Sequence, residues 1–154
     1  MGPSAIQTSP PDLNQLDLIA ADMEATIAFY RALGVDIPET AIWRTATGPH
    51  HVDITMPDGL RVHFDSHSLA KHYNQGWREP TGSGSRVVIG FTVATRDDVD
   101  RVYHTLRKLG YRTSQSPYDA FWGARYAIVD DPDGNYVGIM SASDPTRRSA
   151  PPDL

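Results

Sequence analysis

Two short extended segments carry the side chains best suited to chemistry. His50 to Met56 and Leu60 to Ser66 flank Pro57-Asp58-Gly59 and alternate in polarity. Val52, Ile54 and Met56 with Val62 and Phe64 form an apolar set, while His51, Asp53 and Thr55 with Arg61, His63 and Asp65 form a polar one. Successive residues of a strand point to opposite faces, so the polar set shares one surface. If Gly59 supplies the left-handed residue of a three-residue turn, Met56 pairs with Leu60, which sets Asp53 opposite His63 and His51 opposite Asp65. Two imidazole–carboxylate pairs on one face suit three roles: a general base oriented by an acid, with His63 the candidate catalytic residue; a ligand-contacting surface; or cross-strand ion pairs that solvate a wet cavity. His67 continues the parity at the strand end and is read as loop. His50, His72 and His104 have no such carboxylate partner, and His104 is read as an exposed helix residue.

The elements that must position this hairpin are legible around it. Gln15 to Ala20 reads as a strand, and Asp22 caps a helix whose stripe is Met23, Ile27, Tyr30 and Leu33 and whose end is Gly34. Extended segments follow near 41–45, 50–56 and 60–66. A second pass begins with the β-branched run Val87 to Ala94 and continues into a helix carrying Val99, Val102, Leu106 and Leu109, closed by Gly110. Met56-Pro57-Asp58-Gly59 is echoed by Asp131-Pro132-Asp133-Gly134 at nearly the spacing that separates Gly34 from Gly110, the mark of an internal repeat. The reading is an α+β chain of two βαβββ modules, 14–66 and 86–142, between Pro/Ser-rich tails at 1–13 and 143–154. The linker, 67–85, is read as a loop whose Tyr73 and Trp77 either cover a sheet edge or subunit interface or fold over a ligand.

Composition narrows the chemistry. The 154 residues contain no cysteine, which removes thiolate catalysis, disulfides, zinc knuckles and iron–sulfur ligation together. Fourteen basic against nineteen acidic residues give a net charge of −5 without a basic stripe, so no nucleic-acid partner is expected. No apolar run is long enough to span a membrane and no secretion signal is apparent, so a cytoplasmic protein without a membrane partner is expected.

The run Gln15-Leu16-Asp17-Leu18-Ile19-Ala20-Ala21-Asp22, then Ala28-Phe29-Tyr30 and Leu33-Gly34, with Trp122-Gly123-Ala124-Arg125 and Asp131-Pro132-Asp133-Gly134-Asn135, resembles the vicinal oxygen chelate superfamily. That group includes glyoxalase I, extradiol dioxygenases and the bleomycin and fosfomycin resistance proteins. The resemblance covers about 14–142 and implies a cup-shaped mixed sheet of paired βαβββ modules with helices outside. It identifies the fold well and the activity poorly. In metal-using members the ligands come from the first and last strands of each module; the matching positions are Gln15, His63, Val88 and Gly138. Only Gln15 and His63 can coordinate an ion. No cofactor is therefore expected; a divalent metal, if bound, is expected on Gln15 and His63, or off the usual axis among Gln15, His51, Asp53, His63 and Asp65.

Under the resemblance the polar face lines the cup, and Gln15 and Asp17 join it. The second hairpin places Tyr126, Ile128, Tyr136, Gly138 and Met140 on the equivalent face and Ala127, Val129, Val137 and Ile139 under the helix. Gly138 removes a ligand and opens room. Arg125 is read as a tie between strands. The expected cup has an acidic wall of Gln15, Asp17, His51, Asp53, His63 and Asp65 and a roomy aromatic wall of Tyr126, Tyr136 and Met140, with Trp77, Phe121 and Trp122 at its rim. The leading expectation is a small-molecule-binding protein taking an amphipathic metabolite or antibiotic. The alternative is a divergent metal-dependent lyase, isomerase or dioxygenase, or a metal-free isomerase using His63. The family's habits and the open strand edges suggest a homodimer.

Overall fold

The computed structural model describes residues 9–154, so the first eight residues of the tail expected over 1–13 lie outside the described residues. The strand β1 (Gln15–Ala20) leads through Asp22 into α1 (Met23–Leu33), and β2 (Ile42–Thr45), β3 (Gly48–Thr55) and β4 (Arg61–Ser66) complete a first four-stranded sheet. The Asp22 carboxylate accepts from the Ala25 N–H at the helix start, and Gly34 ends the helix at φ +115°, a left-handed conformation that a side chain resists. A second module repeats the order as β5 (Val88–Thr92), α3 (Arg96–Lys108), β6 (Thr113–Asp119), β7 (Arg125–Asp130) and β8 (Tyr136–Met140). The strand orders, β1-β4-β3-β2 and β5-β8-β7-β6, are the same, each with one parallel pair between the first and last strand of its module. The eight strands form two four-stranded mixed sheets that strand pairing does not close into one.

The apolar parity of the two hairpins meets in a single core. Val52, Ile54, Val62 and Phe64 of the first sheet and Ala127, Val129, Val137 and Ile139 of the second are buried with Ile27 and Tyr30 of α1 and Val99, Val102 and Leu106 of α3. Tyr30 spans the modules. Its ring packs on Phe64 at 4.9 Å and on Phe91 at 6.2 Å, and its hydroxyl donates to the Asp131 carboxylate at 2.8 Å. Asp131 also accepts from the backbone N–H groups of Asp133 and Asn135 and from the Asn135 side chain. Among the described residues, no helix is long and apolar enough to cross a membrane.

Three expectations need correction. The segment 67–85 is not all loop: residues His67–Tyr73 form α2, with Ser66 Oγ accepting from the Leu69 N–H as its cap, so His67 opens a helix. Leu109, read as carried by the second helix, caps it instead and is exposed, because α3 ends at Lys108. The room expected at Gly138 is occupied. A Cβ placed on Gly138 would stand 2.8 Å from the Tyr126 hydroxyl and 3.0 Å from its ring, so the missing side chain is filled by the phenol across the hairpin.

Candidate functional site: the imidazole–carboxylate face of the first sheet

The turn at 57–59 sets the register of the site. Gly59 takes φ +93° and the Met56 N–H donates to Leu60 O at 2.8 Å, which pairs His51 with Asp65 and Asp53 with His63 as the alternation requires. The parallel strand β1 then lies beside β4 with Asp17 opposite His63. Three adjacent strands thus bring Asp17, His51, Asp53, His63 and Asp65 together.

The two histidines are held differently. His63 is 6% exposed and lies between two acids: its Nδ1 is 3.2 Å from Asp17 Oδ1 and its Nε2 3.1 Å from Asp53 Oδ1. Both ring nitrogens are occupied, so proton abstraction by His63 first requires one carboxylate to leave. His51 Nδ1 is 2.6 Å from Asp65 Oδ1, a carboxylate only 2% exposed whose other oxygen accepts from the Tyr73 hydroxyl at 3.0 Å. The buried acid and the tyrosine fix the His51 ring and leave Nε2 for a ligand or a proton. Burial, then the Asp65 contact, pushes the Tyr73 hydroxyl up to about 12, which keeps it a donor. The two imidazole rings stand 4.9 Å apart.

Asp53 links this group to its surroundings. Arg61 donates to Asp53 Oδ2 at 2.7 Å, and that bond holds the carboxyl below its ordinary range. Asp53 also lines a hollow of about 680 Å³ whose other walls are largely apolar, among them Leu33, Val35, Met56 and Phe91. Cavities of this size accommodate small organic ligands.

The remaining predicted residues are divided. Gln15 does not face His63: it lies across from Arg61, and its amide nitrogen donates to Asp17 Oδ1 at 2.9 Å. Gln15 therefore reaches the group through Asp17, which pairs with His63. His51, Asp53 and His63 each offer one donor atom within 4.8 Å of the others. With Val88 and Gly138 unable to coordinate, the chain does not fit a metal at the family positions. Trp77 stacks on His67 at 4.6 Å and lines a second hollow, of about 580 Å³, with Asp17, Leu16, Leu18 and Ile89. Phe121, Trp122 and Tyr126 form a chain of edge-to-face rings in the second sheet, and the Trp122 Nε1–H points to Met140 Sδ at 3.4 Å. Trp122, Tyr126 and Met140 line a small hollow with Gly90, Phe91 and Thr92 that includes none of the histidines. Tyr136 lies under the linker, where a Cβ on Gly84 would stand 3.6 Å from its hydroxyl. The two walls expected to share one cup thus line different hollows, and the apolar wall next to Asp53 is aliphatic.

Sequence reasoning missed two partners. Tyr73 reaches Asp65 only because α2 turns the chain back over β4. His50 faces the other way from His51 and bridges Ser66 Oγ and Thr47 Oγ1, each at 2.7 Å, a structural relay at the α2 cap. The helix had a usable signal in Ser66 followed by His67-Ser68-Leu69-Ala70-Lys71. Arg125 ties β7 to β6 through Asp119, as expected, and also to α3 through Asp100.

The family model described as Glyoxalase/Bleomycin resistance protein/Dioxygenase superfamily matches residues 12–139. No curated protein matches the sequence. Among solved structures, a glyoxalase/bleomycin resistance protein/dioxygenase from Nocardioides is 21% identical, covers 97% of this chain and 93% of its own, and superposes with a TM-score of 0.67. A glyoxalase/bleomycin resistance protein/dioxygenase family enzyme from Burkholderia phytofirmans PsJN is 20% identical over 85% of this chain and 98% of its own, with a TM-score of 0.69. A glyoxalase-related enzyme from Fulvimarina pelagi is 17% identical over 85% and 88%, with a TM-score of 0.65. These likenesses concern the fold.

Proposed function

The chain belongs to the glyoxalase/bleomycin resistance protein/dioxygenase superfamily, and from that premise we propose that it is a small-molecule-binding protein without the family's usual metal ligand set. Its ligand is an amphipathic metabolite or antibiotic whose basic or hydrogen-bonding end meets Asp53. One observation carries the reading: Asp53 belongs both to the imidazole–carboxylate group and to the largely apolar hollow beside it. An acid beside an apolar hollow fixes a ligand's orientation while the hollow supplies contact area. Asp17 and Trp77 border a neighbouring hollow and extend the polar contact surface. Calorimetry against a panel of cationic aromatic compounds, in the presence of a chelator, tests this. A binder is expected whose affinity falls by about tenfold or more in Asp53→Asn, the loss of a charge-assisted hydrogen bond. No binder, or a binder indifferent to Asp53→Asn, contradicts the reading.

A second reading, a metal-free isomerase or lyase, is favoured by the Tyr73–Asp65–His51 chain, which orients a ring nitrogen for proton transfer. The general base is then His51 rather than His63, whose nitrogens both face carboxylates. Exchange of a carbon-bound proton of a bound ligand with deuterated solvent, lost in His51→Gln, distinguishes it; no exchange leaves binding alone.

A further inference from the structure

We propose that His51, Asp53 and His63 form a site for a divalent transition-metal ion that shares only His63 with the family positions and is built within the first sheet alone. The inference goes beyond the reading above, which sets a ligand's basic end on Asp53 without an ion: an ion held by Asp53 would take that oxygen, so the two are tested separately, with and without chelator.

The outer contacts of this group matter as much as its three donors. Metal-binding histidines characteristically use one ring nitrogen for the ion and donate the other N–H to a carboxylate. His51 is arranged so, with Asp65 holding its Nδ1 at 2.6 Å, and the Asp17 carboxylate lies 3.2 Å from His63 Nδ1 as a charge partner. His51 has its Nε2 outside the Asp65 contact, and at His63 Nε2, 3.1 Å from Asp53 Oδ1, an ion would take the place of the shared proton. Asp65 is in turn fixed by Tyr73, and Asp53 Oδ2 by Arg61, which leaves Asp53 Oδ1 as the coordinating oxygen.

Distance and charge agree. Ligands about 2.1 Å from a tetrahedral ion stand roughly 3.4 Å from one another. The three donor atoms, within 4.8 Å now, need to contract by no more than about 1.4 Å at any edge. Asp17, Asp53 and Asp65 bring three negative charges against the one positive charge of Arg61, so with neutral imidazoles the group carries the charge a divalent cation neutralises. Two imidazoles and one carboxylate suit zinc, cobalt, nickel or ferrous iron rather than magnesium or calcium. The half-exposed edge formed by His51 and Asp53 leaves positions on the ion open to a water or a ligand donor.

The test uses the full chain, stripped with chelator and dialysed. Zinc titration by calorimetry is expected to give one site per chain, and cobalt a visible absorption band of nitrogen/oxygen coordination. His51→Gln and Asp53→Asn should each abolish stoichiometric binding, Asp17→Asn should weaken it by about 10- to 100-fold as an outer-contact loss, and His104→Ala, on the exposed side of α3, should leave it unchanged. His51→Gln keeps a donor toward Asp65, and circular dichroism confirms that each variant is folded. Absence of stoichiometric binding, or binding that persists in both His51→Gln and Asp53→Asn, overturns the proposal. Organic ligand binding measured in chelator survives that outcome, so the two readings fail separately.

Discussion

Replacing Tyr30 by phenylalanine deletes one hydroxyl from the tie between the two modules and nothing else. The bond lost is 2.8 Å long, buried, and made to an ionised acceptor; burial, then the charge of Asp131, raises the tyrosine pKa far above neutrality, so the hydroxyl is a donor throughout the accessible range. Hydrogen bonds to charged groups contribute about 1.5–3 kcal/mol. Asp131 Oδ2 keeps the Asn135 side chain, and Oδ1 keeps two backbone N–H groups, so the carboxylate is not orphaned and the low end applies, about 1.5–2 kcal/mol. For a chain of this size each kcal/mol moves the midpoint by about 2–4 °C, giving an expected fall of about 3–8 °C. Scanning calorimetry together with urea unfolding measures it, with an unchanged m value expected because the surface exposed on unfolding is the same. A midpoint indistinguishable from wild type refutes the claim that this bond holds the modules together.

Other outcomes follow from the same geometry. Gly138→Ala places a methyl group against the Tyr126 ring and should destabilise by about 1–3 kcal/mol, with part of the loss recovered by adding Tyr126→Phe; urea unfolding of the two variants decides. Because Arg61 holds the Asp53 carboxyl below its ordinary range, the stabilisation it provides is complete above the unfolded value near 3.9 and is lost only as pH falls through the lower folded value; in Arg61→Ala the Asp53 carboxyl carbon, followed by NMR, should titrate closer to about 3.9. β5 lies at a sheet edge with Val88 50% exposed, so a homodimer of the kind expected from the sequence would use that edge; sedimentation of the wild type against Val88→Lys checks it, with a wild-type dimer that Val88→Lys converts toward monomer expected and a monomeric or unchanged profile arguing against this interface.

Local signals reached far into this structure. Alternation in two seven-residue segments plus one left-handed glycine fixed which imidazole meets which acid, because strand parity and turn length leave a single register. Two of the motifs that resemble the superfamily are structural, since Tyr30, from the Phe29-Tyr30 pair, and Asp131, from Asp-Pro-Asp-Gly, meet in the bond discussed above, whereas the first motif supplies Asp17 to the site. Such motifs report the fold more than the chemistry. What escaped depended on neighbours distant in sequence. Asp17 meets His63 through the parallel pairing of β1 with β4, which the hairpin alone does not specify. Parity put Gly138 on the expected face but said nothing of the phenol lying over it, and the Gly- and Pro-rich stretch after Tyr73 obscured a helix that begins at its own serine cap. The two walls were assigned to one cup by analogy, whereas Asp53 borders aliphatic side chains and the aromatic group has its own hollow.

The central claim is that the imidazole–carboxylate face of the first sheet is where this protein meets its ligand. Imidazole nitrogen resonances, assigned for all six histidines and recorded while the tightest compound from the cationic aromatic panel is added, test it most directly. The account predicts saturating shifts at His51 and His63 with His72 and His104 unmoved. Saturation without movement of His51 or His63 contradicts it.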